Sequence, residues 1–211
     1  MDGNNRWSIK NKVSKFEAYR AGSKNLLNIA EYLFENYSLN FVSAFALSSN
    51  NLKRDRKSLK ILKKVYEFFL DDLSKVTQKN YSVDIIGDLS FLDKRVLQRT
   101  HDYIKNQNKL NNRLILFINY GGQDDIENAN KFILNNKLRN SKITNFLSTN
   151  SFPNPDILFR SGGFQRLSNF MLYEIAFTEL FFSKKLWPDI KKSDLKRIIK
   201  NYNHIERKFG I

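Results

Sequence analysis

The strongest constraint on this chain is a repeated order of short apolar run, polar or glycine-rich turn, and amphipathic stretch. Leu114-Ile-Leu-Phe-Ile118 ends in Asn119-Tyr-Gly-Gly122, and Ile157-Leu-Phe159 runs straight into Arg160-Ser-Gly-Gly163. Phe41–Leu47 ends in Ser48-Ser-Asn-Asn51, and Val83–Ile86 ends in Gly87-Asp88. A further strand is expected near Glu179–Phe182. Helical spacing separates these runs: Leu26, Ile29, Ala30, Leu33, Phe34 and Tyr37 share one face, as do Leu195, Ile198, Ile199, Tyr202 and Ile205. A basic helix is predicted over 55–79 with Leu59, Leu62, Tyr66, Phe69 and Leu73 inward, and others over 93–108 and 123–135. Residues 136–154 read as a polar connection holding a short helix, and a second short helix is expected from Ser168. Strands alternating with helices, each strand ending in a polar or glycine-rich turn, argue for a parallel sheet covered on both faces. The prediction is a single α/β domain over residues 1–211, with a central, mostly parallel sheet flanked by helices.

Composition narrows the chemistry. The 211 residues include 36 Lys and Arg against 21 Asp and Glu, a net charge of +15, which suits phosphorylated substrates, an anionic membrane surface or nucleic acid. No nucleic-acid-binding motif accompanies that charge, so nucleic acid is not an expected partner. With no Cys and only His101 and His204, thiolate catalysis and a His-rich or Cys-rich zinc site are excluded. No apolar run reaches the roughly 18–20 residues that span a bilayer, and the first residues have no signal core, so a cytoplasmic location is expected.

In sheets of this kind, ligands bind beyond the carboxyl ends of the strands. The turns there offer Asp2, Gly3, Asn4 and Arg6, then Ser48, Asn51 and Arg54, then Asn119 and Gly121–Gly122, then Arg160, Gly162–Gly163, Arg166 and Ser168. Arg presents a planar fork of donors and Gly lets backbone N–H groups approach, so the set suits phosphate oxygens. Asp2 is the natural ligand for Mg2+, a hard cation that bridges a carboxylate to substrate phosphates. Each element has a plainer alternative: the Gly-Gly pairs as ordinary turns, Arg160 as a helix cap, and Glu179 as a structural ion-pair partner instead of a metal ligand.

As an ordered set these turns resemble the cis-prenyltransferases, the family of bacterial undecaprenyl diphosphate synthases. Met1-Asp-Gly-Asn-Asn-Arg-Trp7, Ala21-Gly22, Phe45-Ala-Leu-Ser-Ser-Asn-Asn51, Ile86-Gly-Asp88 and Asn119–Gly122 follow the family order. The most specific block is Pro155-Asp-Ile-Leu-Phe-Arg-Ser-Gly-Gly-Phe-Gln-Arg-Leu-Ser-Asn-Phe170, continued by Glu179-Leu-Phe-Phe, Trp187-Pro-Asp and Glu206–Gly210. The resemblance implies condensation of isopentenyl diphosphate onto an allylic diphosphate such as farnesyl diphosphate, giving a polyprenyl diphosphate of the cell-wall carrier-lipid type that grows into an apolar tunnel. It implies Mg2+ on Asp2 and Glu179, and catalytic roles for Asp2 and Asn51. The allylic diphosphate would meet Gly3, Asn4, Asn5, Arg6, Trp7, Lys15, Tyr19, Ser48, Ser49, Asn50, Leu52 and Arg54. Isopentenyl diphosphate would meet Arg160, Arg166, Leu167 and Ser168. It also implies a homodimer, and a strand ahead of Asp2 that begins upstream of residue 1.

Departures from the family pattern cluster around the allylic side. Asn5 stands for a glycine, Lys15 for an arginine, Tyr19 for a histidine, and Asn50, Leu52 and Asp55 for Glu, Trp and Pro. Phe164 stands where Glu is usual, and Lys208 for an arginine. Altered allylic substrate use is the expectation. The alternative is a catalytically weak accessory subunit of a heteromeric prenyltransferase, against which the presence of Asp2 speaks. Lys57, Lys60, Lys63 and Lys64 on the basic helix give that helix either an ordinary wet face or a peripheral contact with the inner membrane face.

Overall fold

The computed structural model describes residues 1–53, 56–75, 80–138 and 140–206. Six helices and five strands carry the fold: α1 (Asn4–Lys10), α2 (Lys15–Asn36), β1 (Phe41–Ser48), α3 (Arg56–Lys75), β2 (Ser82–Ile86), α4 (Lys94–Asn106), β3 (Arg113–Tyr120), α5 (Gly122–Asn135), β4 (Ile157–Arg160), β5 (Glu179–Phe182) and α6 (Lys192–Tyr202). The five strands expected between residues 41 and 182 all form. Every pairing is parallel: β3 lies between β1 and β2, and β4 pairs with β5. Leu114, Leu116, Ile115, Phe117 and Ile118 of β3 are nearly devoid of solvent contact, as a central parallel strand covered on both faces requires.

Two apolar layers meet on the sheet. On one side α2 contributes Leu26, Ile29, Ala30, Leu33 and Phe34, α3 contributes Tyr66, Phe69 and Leu73, and α6 contributes Leu195 and Ile198. Ile115, Phe117 and Tyr120 point to the other side and pack with Leu158, Met171 and Ile175. Local signals set the helix ends. Ser14 accepts from the Glu17 N–H while Glu17 accepts from the Ser14 N–H, a reciprocal capping box that starts α2.

Three expectations change. The sheet is not continuous: β1 and β4 each have one partner strand among the described residues, and β1 and β4 both border a single cavity. All eight residues of β1 line it, although alternate side chains point to opposite faces, so the cavity runs along the open edge of the strand. Second, residues 168–177 form turns instead of a helix, because Ser168, Asn169 and Met171 adopt positive φ values of 54°, 65° and 43° that no right-handed helix accommodates. Third, Asn4–Lys10, read as part of a turn, is helical. Positions 54, 55 and 208, and the end of the basic helix expected to reach 79, lie outside the described residues.

Candidate active site

The cavity, about 1020 Å³, has an apolar interior and a charged mouth. Leu26, Ile29 and Leu33 of α2, Ile61 and Leu62 of α3, and Ile198 of α6 line one side, and Phe117 and Phe170 the other. At the mouth Asp2, Arg6, Arg160, Phe164, Arg166 and Ser168 come together although the chain separates them by up to 166 residues (168 − 2).

Asp2 is the centre of this cluster. Its Oδ2 accepts from Arg160 Nη2 at 2.9 Å, and its Oδ1 from Arg6 Nη2 at 3.3 Å, one turn further along α1. Ser161, which is buried, clamps the Asp2 backbone by accepting from its N–H and donating to its carbonyl, both at 3.1 Å. The Trp187 N–H donates to the same carbonyl at 2.9 Å. Burial alone would raise the Asp2 carboxyl, but the Arg160 hydrogen bond and the Arg160 and Arg6 charges outweigh it and hold the group below its ordinary value. Asp2 is therefore ionised at neutral pH.

Arg160, at the carboxyl end of β4, also donates through Nη1 to Ser168 Oγ at 2.7 Å and to the Arg166 carbonyl. Those two bonds account for the unusual backbone of the 161–168 turn, which folds back over the strand end. Gly162 makes the return possible: its φ is +89°, and a Cβ there would sit 2.8 Å from Arg6 Nη2 and 3.0 Å from Asp2 Cβ.

Not every expected residue joins the mouth. Gly3, Asn4, Asn5, Lys15, Tyr19, Ser48, Asn51 and Leu167 line the cavity. Asn51 Nδ2 donates to Ser48 Oγ at 2.7 Å, which fixes its amide at the end of β1. Trp7 turns away, donating its indole N–H to Asp189 Oδ1 at 2.7 Å, and so pins α1 to the segment before α6. Ser49 donates to Asp124 Oδ2 at 2.8 Å, joining the β1 turn to the start of α5, and Asn50 is exposed. Of Leu52 only the backbone, in a 3-10 turn over Ser49–Lys53, is described. Asn119 and Gly121–Gly122 are structural: Asn119 Nδ2 donates to the Asp88 carbonyl at 2.9 Å, and the Gly122 N–H donates to the Asn169 carbonyl at 2.8 Å.

Glu179 is not brought to Asp2. It opens β5 opposite Ile157, whereas Arg160 lies opposite Phe182, three residues or about 10 Å further along the strands. Among the described residues no group of three or more His, Cys, Asp or Glu could cage a metal ion. One ionised carboxylate among arginines fits only a hard cation that takes its remaining ligands from a bound diphosphate and water. The sequence assigns no role to Ser161 or Phe164, which the structure places in the site. The first is hidden by being an ordinary Ser within Arg-Ser-Gly-Gly, and the second acts through its ring face, which no polar motif marks.

Comparison with known proteins agrees with this geometry. The family model of undecaprenyl diphosphate synthase matches residues 1–210. The isoprenyl transferase of Thermotoga maritima is 32% identical over all of this chain and 94% of its own length. The farnesyl-diphosphate-specific ditrans,polycis-undecaprenyl-diphosphate synthase of Coxiella burnetii is 34% identical over all of this chain and 93% of its own. The crystal structure of lavandulyl diphosphate synthase from Lavandula x intermedia, bound to dimethylallyl diphosphate, superposes with a TM-score of 0.88 at 29% identity, covering all of this chain and 95% of that one. These relatives are named for synthase or transferase activity and give no support to the accessory-subunit alternative. The chain belongs to the undecaprenyl diphosphate synthase family of cis-prenyltransferases.

Proposed function

We propose that this chain elongates an allylic diphosphate with isopentenyl diphosphate units, using farnesyl diphosphate as primer and making a polyprenyl diphosphate carrier lipid. The observation that carries the reading is the continuity of a cluster of arginines around one ionised carboxylate with a large apolar cavity. Diphosphates need the first and a growing hydrocarbon needs the second.

Arg160, Arg166 and Ser168 hold the isopentenyl diphosphate, with Leu167 beside them, and Arg6 with the free backbone N–H groups at the start of α1 holds the allylic diphosphate. Lys15, Tyr19, Ser48 and Asn51 border the allylic side. In each cycle the isopentenyl double bond attacks the allylic C1, and the C1–O bond breaks with its electron pair leaving on diphosphate. A proton then leaves the isopentenyl C2 to form the new cis double bond. Asn51 orients the reacting groups, since a neutral amide is a poor base, and a released diphosphate oxygen takes the proton. Asp2 is the residue that would hold Mg2+ with the diphosphate oxygens, and when bound the ion neutralises charge on the leaving group. Positioning and charge stabilisation are the protein's contribution.

The same reading includes a homodimer through the outer side of β5, where Leu180 and Phe182, with Phe177 just before the strand, are exposed apolar side chains. Among the described residues no helix is long and apolar enough to cross a membrane. A peripheral membrane contact through α3 draws on Lys57 and Lys60, because Lys63 pairs with Asp93 at 2.9 Å and Lys64 sits over the Phe16 ring.

The test is incubation of purified protein with Mg2+, labelled isopentenyl diphosphate and farnesyl, geranyl or geranylgeranyl diphosphate, with products resolved by length. Long labelled products that disappear with EDTA support the proposal. A folded protein that elongates none of the three primers contradicts it.

A further inference from the structure

Three guanidinium groups share one aromatic ring at the cavity mouth. Arg166 Cζ lies 4.1 Å from the centroid of Phe164, Arg6 Cζ 5.0 Å and Arg160 Cζ 5.8 Å. We propose that Phe164 is a positioning residue, whose ring gathers Arg6, Arg160 and Arg166 into one diphosphate-binding cluster without consuming their charge or their donors.

Three like charges this close repel, and among the described residues at the mouth only Asp2 opposes them, through Arg6 and Arg160. Arg166 has no carboxylate partner among the described residues, and its ring contact is the shortest of the three. An aromatic face attracts a cation through its quadrupole, with no lone pair directed at the N–H groups. The ring therefore takes none of the in-plane donors, and those of Arg166, with those Arg6 and Arg160 do not already give to Asp2, Ser168 and the Arg166 carbonyl, stay available for phosphate oxygens. A carboxylate at residue 164 would also gather the arginines, but it would accept their donors and cancel one positive charge. With Phe164 the four charged groups Arg6, Arg160, Arg166 and Asp2 sum to +2. The ring touches both Arg6, assigned to the allylic diphosphate, and Arg166, assigned to isopentenyl diphosphate, so it sets the spacing between the two substrates. That assignment of substrates rests on the proposed function; the gathering of the arginines for a diphosphate does not.

Phe164 is 40% exposed, so its replacement leaves the core intact. The test compares Phe164→Leu, Phe164→Tyr and Phe164→Glu in the full chain. One readout is inorganic pyrophosphate binding by calorimetry at two ionic strengths, and the other is steady-state elongation. The inference predicts that pyrophosphate affinity falls about tenfold in the Leu variant and stays within about twofold in the Tyr variant, which keeps the ring. In the Glu variant affinity falls further and its salt dependence becomes shallower. The KM for isopentenyl diphosphate rises about as much in the Leu variant, while kcat changes far less. Wild-type pyrophosphate affinity in the Leu variant overturns the inference, as does a loss in the Tyr variant equal to that in the Leu variant. Because pyrophosphate binding needs no turnover, the predicted order of affinities in a protein that elongates no primer would uphold the ring's role and refute the elongation reading.

Discussion

Asp2 and Arg160 join the two ends of the chain's chemistry: a 2.9 Å hydrogen-bonded ion pair links the start of the sequence to the carboxyl end of β4. The Arg160 side chain is largely buried and the Asp2 side chain is about one-third exposed. The pair holds the arginine fork aimed at the mouth and keeps the carboxylate ionised.

Removing the carboxylate is therefore expected to do two things. Asp2→Ala should lower elongation by at least about a hundredfold, the scale of losing a positioned electrostatic group, and should leave Arg160 without its acidic partner. Asp2→Asn separates the two, because it keeps the shape and one acceptor but no charge. Steady-state kinetics on both variants, with Mg2+ titrated, check this; the account expects Asn to be nearly as inactive as Ala.

Gly162 is expected to tolerate no side chain. Its φ of +89° disfavours any L-residue, and the new Cβ would press on Arg6 and Asp2 at 2.8 and 3.0 Å. Gly162→Ala should cost about 1–3 kcal/mol of stability from backbone strain and should raise the KM for both substrates by displacing Arg6 and the Asp2 that pairs with Arg160. Gly163→Ala is the control: its φ is +85°, yet the nearest atom to its Cβ is 3.9 Å away, so strain without crowding should cost stability and leave KM much closer to wild type. Denaturant melts and kinetics on the two variants distinguish them.

Asp194 is expected to be a pH-sensitive stabiliser of α6. Burial would raise its carboxyl, but hydrogen bonds from Lys185 Nζ and the Lys191 N–H, with the Lys185 and Arg197 charges, hold it below the ordinary 3.8. A depressed folded value means that its contribution is present above 3.8 and is lost as pH falls from there through the lower folded value. Asp194→Asn should lower stability at pH 7 by about 1–3 kcal/mol and flatten the acid limb of the stability profile. Thermal melts between pH 2 and pH 7 measure both effects.

Much of the fold was legible because its strands are mostly apolar and most of them run into polar or glycine-rich turns. β3 with its Asn119–Gly122 turn announces both its length and its burial. The interruption between β1 and β4 was not legible, since Phe41–Leu47 reads the same whether one or both strand edges are paired. The turns after Ser168 were misread because Ser168, Asn169 and Met171 have ordinary helical propensities, and tertiary hydrogen bonds from Arg160 and to Asn169 override them. At the site, the polar members could be found from residue type and turn position. Trp7 could not be sorted from them, because its indole partner, Asp189, lies 182 residues away. Phe164 was legible only as a departure from a pattern, since it meets the arginines through its own ring face.

The central claim is that the mouth joins two diphosphate substrates carbon to carbon, and a single-turnover experiment tests it most directly. Limiting labelled farnesyl diphosphate is mixed with excess enzyme, Mg2+ and isopentenyl diphosphate, quenched at short times, and the label is followed by chain length. The account predicts that label moves first into a product one isoprene unit longer and then into successively longer ones, with one pyrophosphate released per unit added. Label that stays at farnesyl length, or appears as farnesol without incorporated isopentenyl units, would contradict it.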